Sequence, residues 1–207
     1  IEHLKKELAD KSIPSYFKVT TECGKFHEII LPVLDHFEQA GSKIAPTFAF
    51  VDPFGFSGIP YSLITKLLKQ PHCEVLVTFM VDAVNRWLEH PDQTIVNNIV
   101  ETFGTDEAVK IAQEPGTTDR IERLRILYQD QLCKTAQFVR YFEMRDRNNR
   151  TIYYLFFASN HPRGHLKMKE AMWRTDPDGE FMFSDATNPN QMVLFEQDST
   201  PQVLASI

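Results

Sequence analysis

Two short, uninterrupted apolar runs constrain this chain most. Residues 47–51 read TFAFV, bounded by Pro46 and by Asp52-Pro53, and residues 74–80 read EVLVTFM. Neither alternates apolar with polar, so each predicts a strand buried on both faces, as strands of parallel sheets are. Between them, Pro60 suits the first turn of a helix running to about residue 69. Strand, helix and strand in that order predict a βαβ unit.

The surrounding pattern extends the alternation. Residues 1–10 predict a helix, and residues 16–20 (YFKVT) predict a strand. Residues 26–40 place Phe26, Ile29, Ile30, Val33, Leu34 and Phe37 on one helical face, with Pro32 expected to kink or split it. Asp82 is positioned to cap a helix reaching Leu88. Further helices are predicted over 92–103, 105–113 and 118–132. Residues 137–145 and 151–159 predict a β-hairpin, because Asn148-Asn149 between them tolerates positive φ. A helix from Pro162 to about Trp173 follows, and the remainder is turn-rich and expected to be irregular. The fold expected is α/β: a doubly wound, mostly parallel sheet with helices on both faces and an antiparallel C-terminal β-hairpin at one edge. Residues 1–196 are expected to form one domain, with a helical insertion at about 89–134 and a tail at 197–207.

Composition narrows the class. Sixteen Phe, six Tyr and two Trp in 207 residues exclude a solvated coil. No apolar stretch is long enough to span a membrane, so no membrane partner is expected. Cys23, Cys73 and Cys133 are odd in number and widely spaced, which argues against a disulfide framework and for a reducing cytoplasm. Net charge is −6 overall, yet residues 134–174 carry nine basic and three acidic side chains. Such a segment inside an acidic chain can mark an anionic partner or an unevenly charged solvated surface. The chain opens at Ile1 with the spacing of a helix already under way, so it is expected to be a fragment whose upstream part is absent.

In an open α/β sheet, ligands sit beyond the carboxyl ends of the strands. Three polar clusters are predicted there: Glu22-Cys23-Gly24-Lys25, Asp52-Pro53-Phe54-Gly55-Phe56, and Asp82 with Asn85 and Arg86. In the second, a strand-end carboxylate beside the free carbonyl of a proline suits an amino group, and Phe54 or Phe56 can stack on a planar ring. The same residues also read as a plain turn. In the first, Gly24 permits close backbone approach, Glu22 can accept from an amine or hydroxyl, and Phe26 can cover an adenine. A strand-to-helix turn is the competing reading. The Glu22–Lys25 spacing is one residue too long for a nuclease Glu-x-Lys motif. His161 and His165 are separated by Pro and Gly, which disfavours a helical metal pair, and Cys23 has no His paired with it by sequence. No metal site is expected. Arg145, Arg147, Arg150, Arg163 and Lys167, interleaved with Tyr141, Tyr153, Tyr154 and Trp173, are candidates for holding nucleic-acid phosphates.

Several long blocks then occur in a recognisable order. They are FVDPFGFSGIP (50–60), EVLVTFMVDAVNRWL (74–88), FEMRDRNNRTIYYLFFASNHP (142–162) and KMKEAMW (167–173). Together they resemble the bacterial three-Cys-motif partner protein family, over about residues 16–196. The resemblance implies a class I, Rossmann-like methyltransferase fold that binds S-adenosylmethionine, with these strands being the later ones of a seven-stranded sheet. It implies that Glu22, Cys23, Gly24 and Phe26 lie near the cofactor's adenine. It also implies that Asp52, Pro53, Phe54 and Gly55 occupy the amino-methyltransferase motif, where an acidic side chain and a proline carbonyl orient the target amino group. The motif's second proline is Phe54 here, and its aromatic is Gly55. The Gly-rich cofactor loop and ribose-binding acid of the family are expected upstream of Ile1, so the cofactor site is expected to be incomplete in this chain. The implied function is an S-adenosylmethionine-dependent methyltransferase-like protein acting on a nucleic-acid amino group. The alternative is a catalytically inactive binding module of that fold, serving DNA, RNA or a three-Cys-motif protein partner.

Overall fold

The computed structural model describes residues 2–9, 11–53, 55, 58–114, 119–176 and 178–184. Phe54, Phe56 and the expected tail at 197–207 lie outside these residues. The element order is α1 (Glu2–Ala9), α2 (Phe26–Gln39), β1 (Thr47–Val51), α3 (Tyr61–Lys69), β2 (Cys73–Phe79), α4 (Val81–Trp87), α5 (Gln93–Phe103), α6 (Glu107–Gln113), α7 (Arg120–Cys133), β3 (Phe138–Arg145), β4 (Thr151–Ser159), α8 (Pro162–Thr175) and β5 (Met182–Ser184).

The five strands form one mixed sheet in the order β1-β2-β4-β3-β5. β1 and β2 pair in parallel, with Val51 opposite Val77. β4 runs antiparallel to both β2 and β3, and β5 pairs in parallel with β3. The chain is therefore α/β, but its sheet is mixed rather than mostly parallel. The expected hairpin is present, though not as an edge ornament. β4 lies in the sheet interior, which explains why Tyr154, Phe156, Phe157 and Ala158 are all buried.

Side-chain alternation sorts the two faces. Ala49, Val51, Val75, Val77, Phe79, Val139, Tyr141, Tyr154, Phe156 and Ala158 join the main core with apolar residues of α2 through α7. Leu76, Phe142, Met144, Leu155 and Phe157 face the other way, against Met168 and Met172 of α8. Helices thus cover both faces, but among the described residues only α8 covers the second. That asymmetry corrects one expectation: β1 is not buried on both faces. Phe48 and Phe50 are 54% and 55% exposed, because they point to the α8 face beyond the reach of α8.

Residues 16–20 are not a strand. All five are exposed and pair with no strand among the described residues. A period-2 pattern five residues long is realised only where a sheet edge receives it. Pro32 does not split α2, which runs unbroken from Phe26 to Gln39. Asp82 is not a cap: Met80 holds that position and Asp82 sits in the first turn of α4. Asp92 does cap α5, its carboxylate accepting from the Thr94 N–H at 2.9 Å. β5 replaces part of the region expected to be irregular, because Met182–Ser184 completes the outer edge of β3 near the hairpin.

Candidate functional site

Parallel β1 and β2 deliver their carboxyl ends to one end of the sheet. Asp52 follows β1 there, exposed, and its carboxylate has no hydrogen-bond or ion-pair partner among the described residues. Pro53 beside it is half-buried. Gly55 has φ of 92°, a conformation that a side chain would strain. The loop is anchored from outside. His27 Nδ1 lies 2.9 Å from the Gly58 carbonyl oxygen. A carbonyl only accepts, so this nitrogen carries the proton and donates.

That bond ties the start of α2, just after the first candidate cluster, to the loop after β1, just beyond the second. His27 was not singled out by sequence reasoning, because its partner lies 31 residues away. Within the first cluster, Glu22, Cys23 and Gly24 are exposed. Gly24 makes room for a neighbour rather than for open space: a Cβ there would lie 3.2 Å from Ile29 Cδ1. Phe26 is half-buried and packs on the main core, which limits its use as a cover for a ring. Pro53 and Gly55, together with Ile59, Thr78, Met80 and Tyr128, border a cavity of about 10 Å³. That is space for about one water molecule.

The third cluster lies on α4, after β2. Asp82 is 3.2 Å from the Arg86 guanidinium, and Asn85 Oδ1 is buried without a partner among the described residues. Behind these loops is a ring cluster. Phe79 stacks on Tyr128 at 4.3 Å, with Phe103 and Phe156 edge-on.

The basic candidates do not form one surface. Arg145 is bound to Glu143 at 2.9 and 3.0 Å, and Thr151 donates to the same carboxylate. Burial alone would raise the Glu143 carboxyl, but these hydrogen bonds outweigh it and hold the group below its usual range. At the hairpin turn, Asp146 accepts from the backbone N–H groups of Asn148 and Arg150 and from the Arg150 guanidinium at 2.8 Å. Asn149 adopts φ of 59°, as its side chain allows. Lys167 pairs with Glu170 at 2.8 Å. Arg147 and Arg163 are exposed and have no ion pair among the described residues.

Topology separates them further. The hairpin turn lies at the same sheet end as Asp52, across two to three strand spacings or about 10–14 Å. α8 begins just after β4 at the opposite end, so Arg163 lies about 25 Å from the turn, the length of β3, and Lys167 one helical turn nearer. The expected aromatic interleaving is also corrected. Tyr154 is 2% exposed, Tyr141 packs on the main core under the Arg125 guanidinium at 4.3 Å, and Trp173 meets Phe181 edge-on. These rings alternate with the arginines along the strands because the apolar face points inward. His161 caps α8, its Nδ1 accepting from the Arg163 N–H at 3.1 Å. Among the described residues no three His, Cys, Asp or Glu side chains are grouped as metal ligands. Compared with known proteins, the chain matches no family model, no curated protein and no solved structure.

Proposed function

We propose that this is a methyltransferase-like α/β protein that receives a nucleic-acid amino group at Asp52 and the Pro53 carbonyl, with S-adenosylmethionine as the methyl donor. The observation that carries this reading is Asp52 itself. It is an exposed carboxylate without a partner among the described residues, placed where an open α/β sheet presents ligand groups. An ionised carboxylate accepts two amine hydrogens well, and a neighbouring carbonyl that accepts another would fix the nitrogen's direction. A parallel strand pair completed by an antiparallel hairpin is also compatible with the later part of such a sheet.

The cofactor residues fit less well. Glu22, Cys23 and Gly24 are exposed, Phe26 is turned toward the core, and the cavity bordered by Pro53 and Gly55 is about 10 Å³. A pocket for a ligand of that size is on the order of 300 Å³ or more. The described residues do not enclose the donor. This same small space favours the second reading, a binding module of the fold without chemistry.

Transfer of labelled methyl from S-adenosylmethionine to DNA and RNA oligonucleotides separates the readings. The expected result is transfer by the protein and at least a hundredfold loss of kcat/KM in Asp52→Ala, with melting temperature unchanged because the residue is exposed. Salt-dependent oligonucleotide binding without transfer supports the module. Neither transfer nor binding rejects both.

A further inference from the structure

β5 covers only the last part of β3. Its pairing runs from Glu143 to Arg145, and the chain enters it through Phe181, at φ of 56°. The Glu143 N–H donates to the Phe181 carbonyl at 2.9 Å, so the polar groups of Glu143 point away from β4. By strand alternation those of Val139 and Tyr141 point the same way. Neither backbone has a partner on that side among the described residues. Two N–H and two C=O groups at strand spacing therefore line an open edge. The edge forms the floor of a groove of about 310 Å³. Gln129 of α7 borders it on one side, with Phe138, His165 and Phe181 on the other. Phe138 and His165 stack at 5.0 Å, which stiffens that wall.

We propose that this edge takes up an extended acidic peptide segment of a partner protein as an added strand. Backbone alternation specifies a peptide, since only another strand matches donors and acceptors at this repeat. Charge specifies the sign. Arg140, whose guanidinium lies 5.7 Å from the Phe181 ring, has no ion pair among the described residues, and neither does Lys169. Arg145, Arg150 and Lys167, in contrast, are all paired. Burial lowers the His165 pKa, and the charges of Arg140 and Lys169 lower it further, so both cations act on this wall. Among the described residues a single carboxylate, Glu180, borders the groove, and it is also within Coulombic reach of Arg145. A second copy fits worse, because edge-to-edge pairing would bring Arg140 and Lys169 of both chains together.

The test uses the whole chain and a library of ten-residue peptides in which Glu alternates with Val or Thr in both registers. Binding is read by fluorescence polarisation, and hydrogen exchange is followed at the Val139 and Tyr141 amides. The expected result is saturable binding that protects those two amides. It should weaken at least tenfold in the Arg140→Glu/Lys169→Glu double variant. It should vanish when alternate peptide amides are N-methylated, a change that leaves the protein untouched. Absence of protection at millimolar peptide would overturn the proposal. So would equal binding of peptides with Lys in place of Glu. Protection that appears without peptide and grows with protein concentration would replace the peptide with a second copy.

Discussion

Gly104 ends α5 with φ of 67°, donating its N–H to the Val100 carbonyl at 2.8 Å. A Cβ at this position would lie 2.3 Å from Tyr61 Cδ1. Tyr61 cannot easily move, because its hydroxyl donates to the Gln131 carbonyl at 2.6 Å. Gly104→Ala therefore combines left-handed strain with a clash against an anchored ring, and is expected to cost about 2–4 kcal/mol. Urea denaturation would show the midpoint falling with the m-value unchanged. A loss under about 1 kcal/mol would mean that the ring swings aside, at the level of a simple cap substitution. At this scale the sequence was legible where a side chain acts on its own neighbours, as at Asn149. It was not legible where partners lie far apart. Glu74 rests so close to Gly164 that a Cβ there would lie 1.5 Å from Glu74 Oε1, and nothing local announces the pair. The arginines of the hairpin read as a free surface for another reason: Glu143 and Asp146, two and four residues away, neutralise two of them, and a count of charge does not show the pairing.

At the scale of elements, β2, the hairpin and the helices α3 through α8 follow the apolar periodicity, because each buries one face or stripe against the sheet. The failures share a cause. Residues 16–20 and β5 depend on which strand edge is open, the exposure of Phe48 and Phe50 on how far α8 reaches, and periodicity carries no information about neighbours. Asn160 shows how elements are joined instead. Its Oδ1 accepts from the Gln137 N–H at 2.8 Å, and its Nδ2 donates to the carbonyls of Leu68 and Thr135 at 3.0 and 3.2 Å. One exposed side chain thus holds the ends of α3 and β4 and the α7–β3 connection. Asn160→Ala is expected to lower stability by about 1–2 kcal/mol. Amide exchange should accelerate first at Gln137 and spread to the start of β3, not to α5 or α6. Uniform acceleration across the chain would show that the residue is not a local joint.

Across the whole molecule, titration on the acid side acts in one direction. Burial first, then Arg140 and Lys169, depresses the His165 pKa, so below about pH 6.5 the unfolded chain takes up a proton that the folded one resists. Glu143 and Asp146 are also held below their usual range, Asp146 chiefly by the Arg150 backbone N–H. Their contribution is complete above the unfolded carboxylate range and is lost as pH falls through the folded values. On the alkaline side the sign reverses. Burial, with a smaller effect of Glu74, pushes the Cys73 thiol up to about 11 from 9.0, and burial likewise raises the phenols of Tyr128 and Tyr154. These groups ionise more readily in the unfolded chain, so stability present below pH 9 is lost as pH rises toward 11. Melting temperature against pH should therefore form a plateau near 7–9 with two falling limbs. The limbs are separable, because Cys73 contributes only to the second. Cys73→Ala should lower the plateau by the cost of a small cavity and make the decline between pH 9 and 11 shallower, leaving the shape of the acid limb unchanged. An alkaline limb of undiminished slope in that variant would assign the loss to other groups that burial raises, Cys133, Tyr128 and Tyr154.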